Sequence, residues 1–529
     1  MILQVLEMFI ILIILSFHDN AVWAGRSDLI EKPRTSAGIS SIDLAIALAL
    51  FVQSNINCQH MISRTETQGS SMVHLKSALH AASTIVVCAA GFGACSFLSS
   101  GPEPEEFIRA QGTMLVHNGA PYYFAGTNMW YGCYLGSPGS TGDRPRLLRE
   151  LDSLNAYGLT NLRLLAASEA SAIRRSVKPA IQQAPGVLDD SLLQGLDFVL
   201  AEMARRRMHA VLYLGNYWEW SGGFSQYNVW TGGQTVDPED TSQGWSAFMD
   251  FSATFYSNER AMQLFREYVR TIVTRTNTVN GRPYAADPTI MSWQLVNEPR
   301  PGRDGEPGKK NLPQFYRWIE ETARFIHELD TNHLVSSGSE GIVGTLQVEE
   351  YFLEAYRTPS IDYLNLHLWP LNWGWFDPNA WEATLPRTET NAVNYINRHM
   401  ALARALGKPI VMDEFGLGRD EGRIHPGTPT QARDRYYRLI CSVLEDSARA
   451  GAPFAGSNFW AWGGEGVAQH PDGMWQPGDP WVGDPPQEPQ GRNSVFMSDT
   501  STISILRDHA RAMLMLGKSS AAGSSGSGR

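Results

Sequence analysis

Glu298 follows the apolar run 290–296 inside Asn-Glu-Pro-Arg, and Glu414 follows the run 409–413, so each ends a stretch that reads as buried. Two carboxyl groups delivered to one cleft suit cleavage of a glycosidic bond. One acid protonates the leaving oxygen while the second carboxylate attacks the anomeric carbon. That retaining route needs the two groups about 5 Å apart, too close for an intervening water. The bland alternative is an ion pair for each glutamate at a rim. Asp413 competes with Glu414, because successive strand side chains point to opposite faces and only one of the two can look into a shared mouth.

The elements that would position these groups recur along the chain. Candidate strands are 122–127, 161–166, 209–214, 290–296, 333–337, 361–367, 409–413 and 454–459. Helical patterns lie between and after them at 145–157, 191–208, 259–274, 312–329, 348–355, 392–406, 430–449 and 501–516. In the second of these, Leu192, Leu193, Leu196, Val199, Leu200 and Met203 fall at three- and four-residue spacings, the stripe that faces a sheet. Strand–helix alternation of this length predicts an α/β fold, a (β/α)8 TIM barrel forming a single catalytic domain, with its site at the carboxyl ends of the strands. A doubly wound sheet would carry a Gly-rich phosphate turn after the first strand, and Gly126-Thr-Asn-Met-Trp is not one. Polar or aromatic residues end nearly every run: Asn128 and Trp130, Arg163, Asn216 and Trp218, Asn297 to Arg300, Glu340, His367 and Trp369, Trp460 and Trp462. Long Trp-, Gly- and Pro-rich loops are predicted after strands three (217–258) and eight (463–499), where they would wall the cleft.

Lys plus Arg total 43 against 54 Asp plus Glu, a net charge of −11 that offers no footprint for a phosphate backbone and excludes nucleic acid as a partner. His367 is the sole histidine at these strand ends and no HEXXH spacing occurs, so neither a metal nor another cofactor is expected. A non-catalytic carbohydrate-binding barrel is the other function class; it predicts loss of one carboxylate, and both are present. Five cysteines are too few for a disulfide scaffold, and Cys133 and Cys441 are expected to be buried free thiols rather than a pair. Residues 1–71 read as an over-extended gene start. Residues 72–95 read as a signal peptide or lipoprotein signal, with Cys95 of Phe-Gly-Ala-Cys a candidate lipid anchor. A linker (96–106), the barrel domain (107–517) and a flexible Gly/Ser-rich tail (518–529) complete the expected organisation. The expectation is an exported monomer, secreted or held at the periplasmic or outer-membrane side by a lipid anchor.

The segments GTNMWYG (126–132), NLRLL (161–165), NYWEWSGG (216–223), WQLVNEPR (293–300), GSEG (338–341), HLWPLNW (367–373), MDEFG (412–416) and NFWAWGG (458–464) together resemble family 5 of the glycoside hydrolases, in its β-1,4-mannanase branch. The resemblance spans about 107–516. It implies Glu298 as general acid/base and Glu414 as nucleophile, with Asn297 on the sugar 2-hydroxyl and Arg163 keeping Glu414 ionised. His367 would bond near the acid/base or substrate, Trp460 would form the floor under the reacting sugar, and Arg300 would contact the leaving-group side unless it is a surface salt bridge. Asn216, Trp218 and Glu340 are position-based candidates for the axial 2-hydroxyl of mannose, and Trp130 is placed with them as substrate-binding. Two departures stand out: Trp369 where many members have Tyr touching the nucleophile, and Asn216 where many have His. An indole donates one hydrogen bond but does not fill the place of that hydroxyl. The implied activity is endo-cleavage of β-1,4-mannosidic bonds in mannan or mannooligosaccharides by double displacement. The alternatives are an exo-acting β-mannosidase or mannobiohydrolase and a β-1,4-glucanase of the same family.

Overall fold

Short runs rich in branched and aromatic residues form eight parallel strands in the computed structural model, which describes residues 106–524. They are β1 (Phe124–Asn128), β2 (Asn161–Leu165), β3 (His209–Tyr213), β4 (Ile290–Gln294), β5 (Leu334–Ser336), β6 (Leu364–Leu368), β7 (Ile410–Phe415) and β8 (Phe454–Phe459). Hydrogen-bonded neighbours run β5-β4-β3-β2-β1-β8-β7-β6, the order of a (β/α)8 barrel. No strand ladder joins β5 to β6. Single contacts span that seam: Asp362 N donates to Val335 O at 2.8 Å, Gly338 N to Asn365 Oδ1 at 2.9 Å and His367 N to Glu340 O at 3.1 Å.

The outer ring is α1 (Arg144–Tyr157), α2 (Asp190–Arg205), α3 (Glu259–Val273), α4 (Leu312–Leu329), α5 (Glu349–Tyr356), α6 (Trp381–Leu406), α7 (Gln431–Arg449) and α8 (Thr500–Ser524). The predicted stripe of α2 is buried, and its N-cap Asp189 accepts from Ser191 N and Leu192 N, which satisfies donors the helix itself cannot. At the amino end of the strands, Phe124, Val211, Met291, Leu334, Val411 and Ala455 form an apolar layer closed from below by Ile108 and Leu115. Leu115 comes from an unpredicted three-stranded antiparallel sheet, Arg109–Gln111, Met114–His117 and Ala120–Pro121.

Three further differences from the sequence reading have physical causes. The stretch 217–258 is not a loop but is largely helical (Glu219–Ser221, Gly223–Trp230, Gly244–Ala253, Thr254–Ser257). Its apolar side has a partner: Phe224 stacks on Phe255 at 3.9 Å and meets Phe265 and Trp318 edge-on. Helix α6 starts at Trp381, well before the expected 392, although Pro386 lies inside it: Leu385 and Thr388, buried on either side of the proline, pack the first turns onto the barrel. Helix α8 continues to Ser524, into the segment expected to be a flexible tail; its Lys, Ser and Ala residues contain no proline to stop it. The stretch 463–499 does remain irregular, apart from Trp462–Gly464 pairing with Val495–Phe496. Cys133 and Cys441 are buried free thiols. The expected extension 1–71, the signal 72–95 with Cys95, and linker residues up to 105 lie outside the described residues. No helix among the described residues is long and apolar enough to cross a membrane.

Candidate active site

Arg163 rises from β2 into the barrel, fully buried, and its guanidinium organises the floor of the mouth. Nε donates to Gln294 Oε1 at 2.7 Å, Nη2 to Asn297 Oδ1 at 2.8 Å, and Nη1 to Asn128 Oδ1 at 3.1 Å and to Glu414 Oε1. A cation this deep persists only because each of its three guanidinium nitrogens finds an oxygen. Gln294 carries the network to Asp413, donating from Nε2 to Oδ2 at 2.6 Å, and Asn365 Nδ2 donates to the same oxygen.

Asp413 and Glu414 thus both serve the barrel interior, against the simple alternation rule. The register between β6 and β7 slips between Leu366 and His367, pairing Leu366 with Met412 and His367 with Glu414 and skipping Asp413. Such a bulge re-aims the next side chain. Asp413 points into the packed layer, where burial pushes its carboxyl up to about 6, while Glu414 reaches the mouth.

Glu298 lies past the end of β4 in the left-handed region, with φ 51°. The surroundings enforce this costly backbone: Asn297 N donates to Gly215 O at 2.9 Å and Glu298 N to Gly338 O at 2.9 Å, tying the turn to the chains leaving β3 and β5. The side chain is thereby turned across the mouth. Its Oε2 accepts from Trp218 Nε1 at 2.5 Å and its Oε1 lies 2.7 Å from His367 Nδ1. His367 Nδ1 is also 3.4 Å from Glu414 Oε2, so one imidazole nitrogen faces both carboxyls. Carboxylate oxygens of Glu298 and Glu414 and a ring nitrogen of His367 all lie within 4.8 Å of one another. A transition metal would find three ligands in that trio.

Burial raises the carboxyls of both Glu298 and Glu414; the Arg300 and Arg163 guanidiniums, respectively, oppose it, and Glu298 adds to the rise at Glu414. Two acids this close titrate as a pair rather than as two independent groups. Burial, with Arg163 nearby, drives His367 well below its ordinary value, so its ring is neutral.

Most of the residues named from sequence converge on this mouth. Trp218, Asn297, Glu298, Arg300, Glu340, Trp369, Glu414 and Trp460 line one cleft with a volume of about 850 Å³. The indole of Trp369 does reach Glu414, with Nε1 donating to Oε2 at 3.2 Å, so the contact that a Tyr hydroxyl makes in many family members has an indole counterpart here. Arg300 is no surface salt bridge: it pairs with buried Glu340, Nη2 to Oε1 at 2.6 Å, and its guanidinium lies 5.3 Å from the Trp218 ring centroid. Two placements differ from expectation. Asn216 is fully buried beneath the cleft, its Oδ1 accepting from Trp218 N and Asn297 Nδ2, so it positions other residues rather than lining the surface. Trp130 is buried too; its Nε1 donates to Gly483 O at 2.9 Å and pins the chain after β8. Unread in the sequence were Gln294, Asp413 and Asn365 as one network; polar residues at inward positions of apolar strands were the available signal. Trp245, Trp373, Trp375, Glu219, Gln487 and Glu488, which also line the cleft, sit in irregular or inserted segments without a period to reveal them.

A family model described as "GH family 5 beta-mannosidase-like" matches residues 105–518. The mannan endo-1,4-beta-mannosidase 4 of Solanum lycopersicum is 28% identical over 381 residues, covering 69% of this chain and 86% of that protein. Among solved structures, a glycoside hydrolase family 5 mannosidase from Rhizomucor miehei superposes with a TM-score of 0.72 at 36% identity, covering 79% of this chain and all of that one. An endo-1,4-beta-mannanase from the same organism shares the fold, with a TM-score of 0.57 at 22% identity. Paired carboxyls across a barrel mouth and a family match over nearly all the described residues agree: the chain is an enzyme, a member of the β-mannosidase-like group of glycoside hydrolase family 5.

Proposed function

We propose that the protein cleaves β-1,4-mannosidic bonds of mannan or mannooligosaccharides with net retention. The supporting observation is the close approach of Glu298 and Glu414 in one cleft, oxygens within 4.8 Å, whereas inverting enzymes keep their carboxyls about 6.5–9.5 Å apart. Glu414, held by Arg163 and Trp369, attacks the anomeric carbon as the carboxylate. Glu298 gives its proton to the departing glycosidic oxygen, whose bond to that carbon breaks. In the second half Glu298 takes a proton from water, the water oxygen bonds to the anomeric carbon, and Glu414 leaves. The pair therefore works with one proton. The guanidinium at Glu414 favours charge there, which leaves the proton on Glu298.

Mannan as substrate follows the names of the relatives. Reducing-sugar release from mannan and from carboxymethylcellulose tests it, with Glu414→Ala as the blank; equal rates on the two polymers would remove the mannan preference and leave the chemistry. Endo action is the first reading. Exo action gains from the greater likeness to the Rhizomucor miehei mannosidase, a mutant of which is solved in complex with mannosyl-fructose, at 35% identity and a TM-score of 0.71. Products from mannohexaose separate the two: mannose or mannobiose alone from the first time point excludes endo cleavage. Export through residues 72–95 belongs to the same proposal, and N-terminal sequencing of mature protein from its native host tests it, a retained segment 72–95 refuting it.

A further inference from the structure

Between the apolar layer and the mouth of the barrel stands one acid that the reaction itself does not use. Asp413 is fully buried, yet chains of hydrogen bonds lead from it to both reactive carboxyls. Its Oδ2 accepts from Gln294 Nε2 at 2.6 Å and from Asn365 Nδ2, while its Oδ1 has no hydrogen-bond partner. An amide has a donor at one end and an acceptor at the other, and a carboxylate only accepts. Asp413 therefore decides which way Gln294 and Asn365 face.

The first arm runs to Glu414. With its nitrogen committed to Asp413, Gln294 presents Oε1 to Arg163, accepting from Nε at 2.7 Å. The Asp413 main-chain oxygen accepts from Asn128 Nδ2 at 2.7 Å, which turns Asn128 Oδ1 towards Arg163 Nη1 in the same way. Arg163, so oriented, donates to Glu414. The second arm runs to Glu298. Asn365, its nitrogen likewise spent on Asp413, accepts through Oδ1 from Gly338 N at 2.9 Å, and Gly338 O accepts from Glu298 N at 2.9 Å. This arm crosses the seam between β5 and β6, where no ladder fixes the two strand ends. Without the acceptor at Asp413 either amide is free to flip, setting N–H against N–H at Arg163 or at Gly338. The charged and titratable groups facing Asp413 are Arg163 from β2, Tyr363 ahead of β6 and Glu414 on its own strand. Burial, against the pull of Arg163, pushes the Asp413 carboxyl up to about 6, and its charge in turn raises Glu414.

We propose that Asp413 is a positioning residue for both reactive carboxyls, orienting Gln294 and Asn365 so that Arg163 is set against Glu414 and the chain at Gly338 against Glu298. This rests on the mannoside reading above. The experiment measures kcat, KM and the pH dependence of kcat/KM on mannohexaose for wild type, Asp413→Ala and Asp413→Asn. Alanine removes the acceptor, and kcat is expected to fall about ten- to hundredfold while KM changes less than about threefold. Asparagine keeps an acceptor oxygen and loses the charge. It is expected to recover most of the lost kcat and to move the acid limb of kcat/KM down by about one pH unit, because the like charge beside Glu414 is gone. A role confined to supporting the fold would lower the melting temperature and the active fraction and leave that limb in place. Should Asp413→Ala fold poorly, Gln294→Met cuts the arm to Arg163 alone and carries the same expectation for kcat and KM. Folded variants with kcat within about twofold of wild type overturn the proposal while the mannoside reading stands. So does an asparagine variant no better than alanine, or one whose acid limb has not moved. Wild-type protein inert on mannohexaose removes the mannoside reading and the positioning role together.

Discussion

At the amino end of the strands Phe124, Met291, Leu334 and Val411 meet Ile108 and Leu115 in a mainly apolar layer, whose polar neighbours include the Tyr363 hydroxyl and Asn161, donating from Nδ2 to Met291 Sδ at 3.4 Å. At the carboxyl end the same strands hand over to Arg163, Asn297, Glu298, His367 and Glu414, all buried and every one polar. The first arrangement gains free energy from the area it removes from water, about 25 cal/mol per Å². The second gives it up, because charges are taken from water and only partly repaired by neighbours. Stability and chemistry are thus assigned to opposite ends of one sheet, and substitutions at the two ends should separate into two classes.

The largest effect belongs at the polar end. Glu414→Ala should lower kcat on mannan by more than about a thousandfold, since no covalent intermediate can form. A variant within tenfold of wild type would break the division of labour. Glu298→Gln should cost about 10²–10⁴ in kcat on substrates with poor leaving groups and erase the basic limb of the pH–rate profile, because the raised carboxyl is the group whose deprotonation stops the reaction. The same change should not lower the melting temperature. A carboxyl raised in the folded state loses stability for the protein as pH climbs from about 4.3 through its folded value. The variant should therefore gain on wild type across that window and keep the gain above it; thermal melts at several pH values read this directly.

Phe124→Ala at the amino end should do the reverse, removing about 3–5 kcal/mol of stability with kcat per folded molecule unchanged. A denaturant series with activity assayed on the folded fraction checks it, and a parallel fall in kcat would show the two ends to be coupled. Trp369→Phe sharpens the picture with the smallest effect. It deletes the Nε1–H donated to Glu414 and keeps an aromatic ring in the cleft, so kcat should drop about tenfold.

Periodicity revealed the strands and helices because each carries a face that must be buried; β8 and α4 match their sequence-predicted bounds, 454–459 and 312–329, end for end. Glu298 and Glu414 were legible because a charged residue terminating an apolar run has few structural excuses. The choice between Asp413 and Glu414 was not legible from alternation, since a bulge between β6 and β7 breaks the two-residue period at that point. The burial of Asn216 and Trp130 was hidden for a different reason: position at a strand end does not say whether a side chain stops at the surface or beneath it. The cleft walls near Glu219 and Gln487 follow from turns and from the anchoring of Asp484 and Gln490, contacts between residues whose spacing has no period at all.

The double displacement proposed across Glu298 and Glu414 would fix the stereochemistry of the product before any solution equilibration. Proton NMR of the anomeric region, recorded in the first minutes of mannooligosaccharide hydrolysis, should show the β anomer of the newly formed reducing end appearing first and the α anomer growing in by mutarotation. Prompt appearance of the α anomer instead would mean direct attack by water and would contradict a nucleophilic Glu414.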